Sequence, residues 1–112
     1  MADSAVDGRI LDQLFTVIAA RRDADPSESY TAKLLVAGPE QVAKKLGEEA
    51  TETVIAGVSG DAGALAAESA DLLYHLMVLW AARGIEPGQV WRALDGRQGV
   101  SGLAEKASRG AS

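Results

Sequence analysis

The stretch "LAAESADLLYHLMVLW", residues 65–80, constrains the fold of this chain more than any other. Leu65, Ser69, Leu72, Leu73, Leu76, Leu79 and Trp80 recur at helical spacing and make one wide apolar face. The helix they define spans about Ala62 to Arg83, and Gly84 is a good stop signal for it. A helix apolar over more than half its circumference is expected at the centre of something. A chain of 112 residues has little with which to cover it, so a second copy is the simplest cover and a homodimer is expected. The most apolar run, Leu72 to Ala82, holds only eleven residues and includes Tyr74 and His75. A bilayer span needs roughly 20 apolar residues, so this is a core helix and not a membrane span.

Three further helices are legible, and no segment shows a strand pattern. The first runs from about Asp7 to Arg22 with Ile10, Leu11, Leu14, Phe15, Val17 and Ile18 at helical spacing. Another starts at Pro39 and reaches about Val58, carrying Val42, Leu46, Ala50 and Val54 on one stripe. A short one opens at Pro87 with Val90, Trp91 and Leu94, and Trp80 and Trp91 read as core or dimer-interface residues. "SESYTAKLLVAG", residues 27–38, is less periodic and reads as a short helix or turn, while "GVSGDAG", residues 57–63, reads as a glycine-rich breaker. The expected fold is therefore all-α, a small bundle of four to five helices completed by homodimerisation. One domain is expected over residues 1–95, followed by a flexible Gly- and Ser-rich tail over 96–112.

Composition removes several function classes. There are no cysteines, which excludes disulfides, thiolate catalysis and cysteine-ligated zinc. Sixteen acidic against eleven basic residues give a formal charge of −5, which argues against binding nucleic acid through a basic surface. The N-terminal stretch lacks the basic start and apolar core of a signal peptide, so a cytoplasmic location is expected, with no membrane partner.

The candidate chemistry lies in two acidic motifs. In "GEEATET", residues 47–53, Glu48, Glu49 and Glu52 crowd like charge onto one helix, although like charges one turn apart are unfavourable there. With Val42 at zero on a helical wheel, Glu49 falls at about −20°, Glu52 at about −80° and Glu48 at about −120°. Glu49 thus borders the apolar stripe. In the next helix, with Leu65 at zero, Glu68 falls at about −60°, His75 at about −80° and Asp71 at about −120°. An antiparallel pairing of the two helices brings Glu49, Glu52, Glu68 and Asp71 into one cluster. Such a cluster is either a solvated acidic face or an oxygen-only site for hard Mg²⁺ or Mn²⁺, and carboxylate-bound Mg²⁺ commonly takes phosphate oxygens as further ligands.

The two motifs, "EEATE" and "ESAD", resemble the E-x-x-E and E-x-x-D signature of the MazG-like all-α nucleotide pyrophosphohydrolases. With "SYTAKLL", "KKLGEEATETVIAG" and "ESADLLYHLMVLWAARGI" the chain is similar, over about Ile10 to Leu94, to the phosphoribosyl-ATP pyrophosphohydrolase family. The resemblance implies a dimeric helical bundle that uses Mg²⁺ to hydrolyse the α–β phosphoanhydride of N1-(5-phosphoribosyl)-ATP in histidine biosynthesis. Many relatives carry a fused zinc cyclohydrolase, and this chain, short and without cysteines, looks like the stand-alone form. Under that resemblance Glu49, Glu52, Glu68 and Asp71 are the metal ligands. Glu48 is the candidate to orient or deprotonate the attacking water, or else a further ligand.

Lys44 and Lys45 suit triphosphate oxygens as point charges, or form ordinary i,i+4 pairs with Glu48 and Glu49. Lys33 lies in a block that looks like part of the substrate site, and Tyr30 either stacks on a base or packs. His75 is either an acid–base group or a partner supporting the metal ligands, or else a satisfied core histidine. Two other functions fit the same residues: a house-cleaning pyrophosphohydrolase acting on non-canonical (d)NTPs, and a non-catalytic helical dimerisation module.

Overall fold

The structure, a computed structural model, describes residues 6–98. It contains five α-helices: α1 (Arg9–Ala20), α2 (Tyr30–Ala37), α3 (Pro39–Ser59), α4 (Ala62–Arg83) and α5 (Pro87–Arg97). A single 3₁₀ turn, Arg21–Asp23, extends α1, and there is no β-strand among the described residues. No described helix is long and apolar enough to cross a membrane. Gly96 and Arg97, placed in the tail by composition, still belong to α5, and the tail from residue 99 onward lies outside the described residues.

The long antiparallel pair α3 and α4 is the spine of the molecule. The breaker expected over residues 57–63 contracts to Gly60 and Asp61, because Gly57 and Gly63 are both helical. Gly60 ends α3 in the left-handed region at φ 84°, which a side chain would disfavour. Asp61 then caps α4 by accepting a hydrogen bond from the Ala64 amide at 3.1 Å. Helical glycine costs about 1 kcal/mol relative to alanine, an amount the packing of two helices more than twenty residues long readily offsets.

The weakly periodic "YTAKLLVA" segment is a helix. Ser29 caps it, accepting from the Ala32 amide at 3.1 Å, and Ala32 and Leu34 are buried beneath it. Phe15 and Ile18 of α1, Leu34 of α2, Val42 of α3 and Met77, Val78, Trp80 and Ala81 of α4 form the core. Trp91 of α5 meets Trp80 edge to face at 5.9 Å and donates its indole N–H to Asp12 at 3.0 Å. Arg22 donates to the Ala81 carbonyl at 2.7 Å, tying the end of α1 to the last turn of α4.

Two faces differ from the sequence reading. The side of α4 turned into the core carries Met77, Val78 and Ala81, whereas Leu65 and Leu73 are exposed and Leu72, Leu76 and Leu79 only half-buried. The other helices of the chain cover one side of α4, and its leucine face is the side left over. On α3 the stripe is covered at Val42 but open at Val54, where Ala56 is buried instead. Among the described residues α4 is the chief packing partner of α3, so the direction of burial there follows α4.

Met77 is 1% exposed in the centre of this core, and Met77→Ala is expected to cost about 2–5 kcal/mol of stability. Urea unfolding followed by circular dichroism measures it, with an unchanged m-value if the denatured state is unaffected.

Candidate active site

Helices α3 and α4 bring Glu49, Glu68 and Asp71 together. One carboxylate oxygen from each lies within 4.8 Å of the other two. Glu49 is buried, Glu68 half-buried and Asp71 exposed, so the cluster runs from the helix seam out to solvent. Thr53 fastens the seam at this point. Its hydroxyl is shared between the main-chain carbonyls of Glu49 at 2.8 Å and Glu68 at 3.2 Å.

Glu68 is the strained member. Its Oε1 is shut off from solvent without a hydrogen-bond partner. Burial raises its pKa first, followed by the like charges of Glu52, Asp71 and Glu49. A carboxylate oxygen that is desolvated, unpartnered and surrounded by like charge has every reason to take a cation. The donors are all oxygens, which fits a hard divalent ion such as Mg²⁺. Glu52, expected as the fourth ligand, stands exposed beside Glu68 and is not one of the three that converge. Lys45 supplies one positive charge from the other side, its Nζ 3.5 Å from Glu49 and 3.6 Å from Glu48. Its pKa is raised by Tyr30 first and then by Glu49 and Glu48, so it stays an ammonium.

Beside the cluster lies a cavity of about 270 Å³ between α2 and the first half of α3. Tyr30, Lys33, Gln41, Lys44, Lys45 and Glu48 line it over an apolar floor of Leu34 and Ala37. The structure therefore gathers Tyr30, all three candidate lysines and Glu48 in one place. Lys45 pairs with both Glu48 and Glu49, whereas Lys44 makes no ion pair among the described residues. Glu48 faces this cavity and not the cluster of three acids.

His75 joins the two parts. It is buried, and its Nδ1 lies 2.7 Å from the Asp71 carbonyl oxygen, which can only accept. Nδ1 thus donates to that carbonyl, and Nε2 is hydrogen-bonded to the Tyr30 hydroxyl at 3.0 Å. Burial raises the Tyr30 pKa, while Lys45 opposes the rise, so the phenol keeps its proton. Tyr30 also stacks on Tyr74 at 6.2 Å, and the Tyr74 hydroxyl is hydrogen-bonded to Thr31. His75 touches the main chain of Asp71, not its carboxylate.

Thr53, Gln41, Thr31 and Tyr74 were not legible as site residues. Thr53 had one signal, its place one turn after Glu49 on the seam side of α3. The other three depend on how α2 lies against α3 and α4, which no spacing encodes.

A family model described as phosphoribosyl-ATP pyrophosphohydrolase matches residues 11–98. The phosphoribosyl-ATP pyrophosphatase of Azospirillum brasilense is 55% identical over 109 residues, 97% of this chain and 98% of that protein. The protein of the same name from Parvibaculum lavamentivorans is 59% identical over 106 residues, covering 95% of this chain and 97% of its own.

Glu68 yields a test that needs no substrate. Its raised pKa means that ionisation is disfavoured in the folded chain, so this group favours folding below its ordinary value of 4.5 and the contribution is lost as pH rises through the folded value. In chelator at neutral pH, Glu68→Gln is expected to melt at a higher temperature than the parent. The gap should shrink as the pH is lowered toward the ordinary glutamate range, and saturating Mg²⁺ should reverse the order. Differential scanning fluorimetry reads all three.

Proposed function

The chain belongs to the phosphoribosyl-ATP pyrophosphohydrolase family, and on that premise we propose that it hydrolyses N1-(5-phosphoribosyl)-ATP at the α–β phosphoanhydride, releasing N1-(5-phosphoribosyl)-AMP and pyrophosphate in histidine biosynthesis. The observation that carries this reading is the convergence of Glu49, Glu68 and Asp71 around an unpartnered buried oxygen, directly beside a cavity lined with lysines.

Glu49, Glu68 and Asp71 would hold Mg²⁺, with Glu52 at hand as a further oxygen donor. When bound, the ion supplies charge neutralisation at the phosphate oxygens and at the leaving pyrophosphate. The chain's own residues do the rest. Lys45 stands between the acids and the cavity as an ammonium suited to a phosphate oxygen. Glu48, kept beside that ammonium, orients the attacking water and accepts its proton. His75 holds the Tyr30 ring against Tyr74 and so keeps the cavity wall in register with the acids. Lys33 and Lys44 contribute positive charge to substrate binding.

The active form belongs to the same proposal. Val54, Ile55 and Val58 are 67%, 60% and 82% exposed, and Leu65 and Leu73 continue the apolar surface on α4. An apolar groove of about 410 Å³ between α3 and α4 adds Leu76, Leu79, Trp80 and Ile85. Exposed apolar surface along both helices supports a homodimer. A biosynthetic enzyme of this type works in the cytoplasm.

Pyrophosphate release from phosphoribosyl-ATP, set against a dNTP panel with and without Mg²⁺, tests the reaction. Turnover of phosphoribosyl-ATP that chelator abolishes is expected, and turnover confined to dNTPs would assign a house-cleaning role instead. Glu49→Gln and Asp71→Asn are each expected to lower kcat on the order of 100-fold or more. Full turnover by Glu48→Gln would remove the role given to that residue. Sedimentation should give a dimer, and Val58→Asp should shift it toward monomer.

A further inference from the structure

We propose that the cavity between α2 and α3 is a subsite for the terminal phosphomonoester of the substrate, gripped by Lys33 and Lys44, and is not the seat of the leaving pyrophosphate. This deepens the function proposed above and rests on it, because the substrate phosphoribosyl-ATP carries negative charge at two separate places. One is the triphosphate, where the anhydride breaks. The other is the single phosphate on the added ribose.

Charge is the first ground. In a chain of net charge −5, three lysines gather around one small cavity. Lys45 is already engaged by Glu48 and Glu49, so Lys33 and Lys44 carry the positive charge that a ligand would meet. Position is the second. Lys44 precedes Glu49 by five residues, which is about 7.5 Å along the helix axis and about 140° around it. The leaving pyrophosphate is bonded to the phosphorus under attack and must stay beside the acids and their cation. A group held by Lys44 is thus displaced from Glu49 both along α3 and around it, as the remote end of the substrate is.

Size and lining are the third ground. About 270 Å³ is small for a whole nucleotide, since sites for complete ligands run from about 300 to 1,000 Å³, but it suits a sugar phosphate. Leu34, Ala37 and the Tyr30 ring offer an apolar bed for the sugar, and His75 holds that ring in place. The subsite would then separate phosphoribosyl-ATP from ATP, which lacks the second anionic end.

Calorimetric titration in Mg²⁺ buffer with three probes, phosphoribosyl-AMP, AMP and pyrophosphate, tests the assignment. The parent protein is expected to bind phosphoribosyl-AMP at least roughly tenfold more tightly than AMP, the scale of one charge-assisted contact. Lys33→Met and Lys44→Met should each erase most of that margin and leave pyrophosphate affinity unchanged. Both lysines are exposed, so neither change threatens the fold. Equal binding of phosphoribosyl-AMP and AMP by the parent would overturn the subsite. So would a margin that survives both substitutions, or variants that weaken pyrophosphate as much as phosphoribosyl-AMP. Failure of the reaction itself looks different: phosphoribosyl-AMP would bind with its margin while phosphoribosyl-ATP was not cleaved.

Discussion

The packing of α3 against α4 forces carboxylates together, and most of what is particular to this protein depends on that. Glu49 cannot leave the seam because its helix is held there by the two-residue turn at Gly60 and Asp61 and by the apolar core around Val42. Glu68 cannot leave because the Thr53 hydroxyl joins the main chains of the two helices at this level. Apolar burial is non-directional and large, whereas repulsion among a few partly solvated carboxylates is smaller and screened. Burial therefore prevails. An unfavourable local arrangement of acids is thus held by favourable packing elsewhere.

The second half of the site depends on a helix too short to stand alone. Eight residues make a marginal helix in water, so α2 owes its place to tertiary contacts. Leu34 enters the core, Thr31 meets Tyr74, and Tyr30 meets both Tyr74 and His75. His75 uses both ring nitrogens, one on α4's own backbone and one on α2. The wall of the lysine-lined cavity and the acidic cluster thus share α4 as a common support. The cavity is lined from α2 and α3, whereas the three converging acids stand on α3 and α4.

Helix existence was legible because it rests on local rules. Pro39 and Pro87 begin helices, Gly60 and Gly84 end them in the left-handed region, and the span Ala62–Arg83 follows from its pattern. The acidic motifs were legible for the same reason. Spacing of three on a helix puts two carboxylates on one side regardless of what surrounds them. Which side of α4 would face inward was not legible. Its leucines, read as the centre of the molecule, form the less covered face, while Met77, Val78 and Ala81 turn into the core. A helix apolar nearly all round carries no periodic signal to choose between its sides, and the choice falls to whichever helices its own chain can lay against it.

By itself the sequence determined the helical class, the positions of most helix ends, and the approach of "EEATE" to "ESAD" on adjacent helices. These follow from backbone geometry and side-chain period, which act within a few residues. Tertiary structure decided the rest. It turned Glu48 toward the lysines, left Glu52 beside the three acids that converge, and gave Tyr30 a partner in His75 forty-five residues away. The rotation of a helix about its own axis and the path of α2 are set by the total burial of the folded chain. That quantity is summed over every contact at once, so no single stretch of sequence contains it.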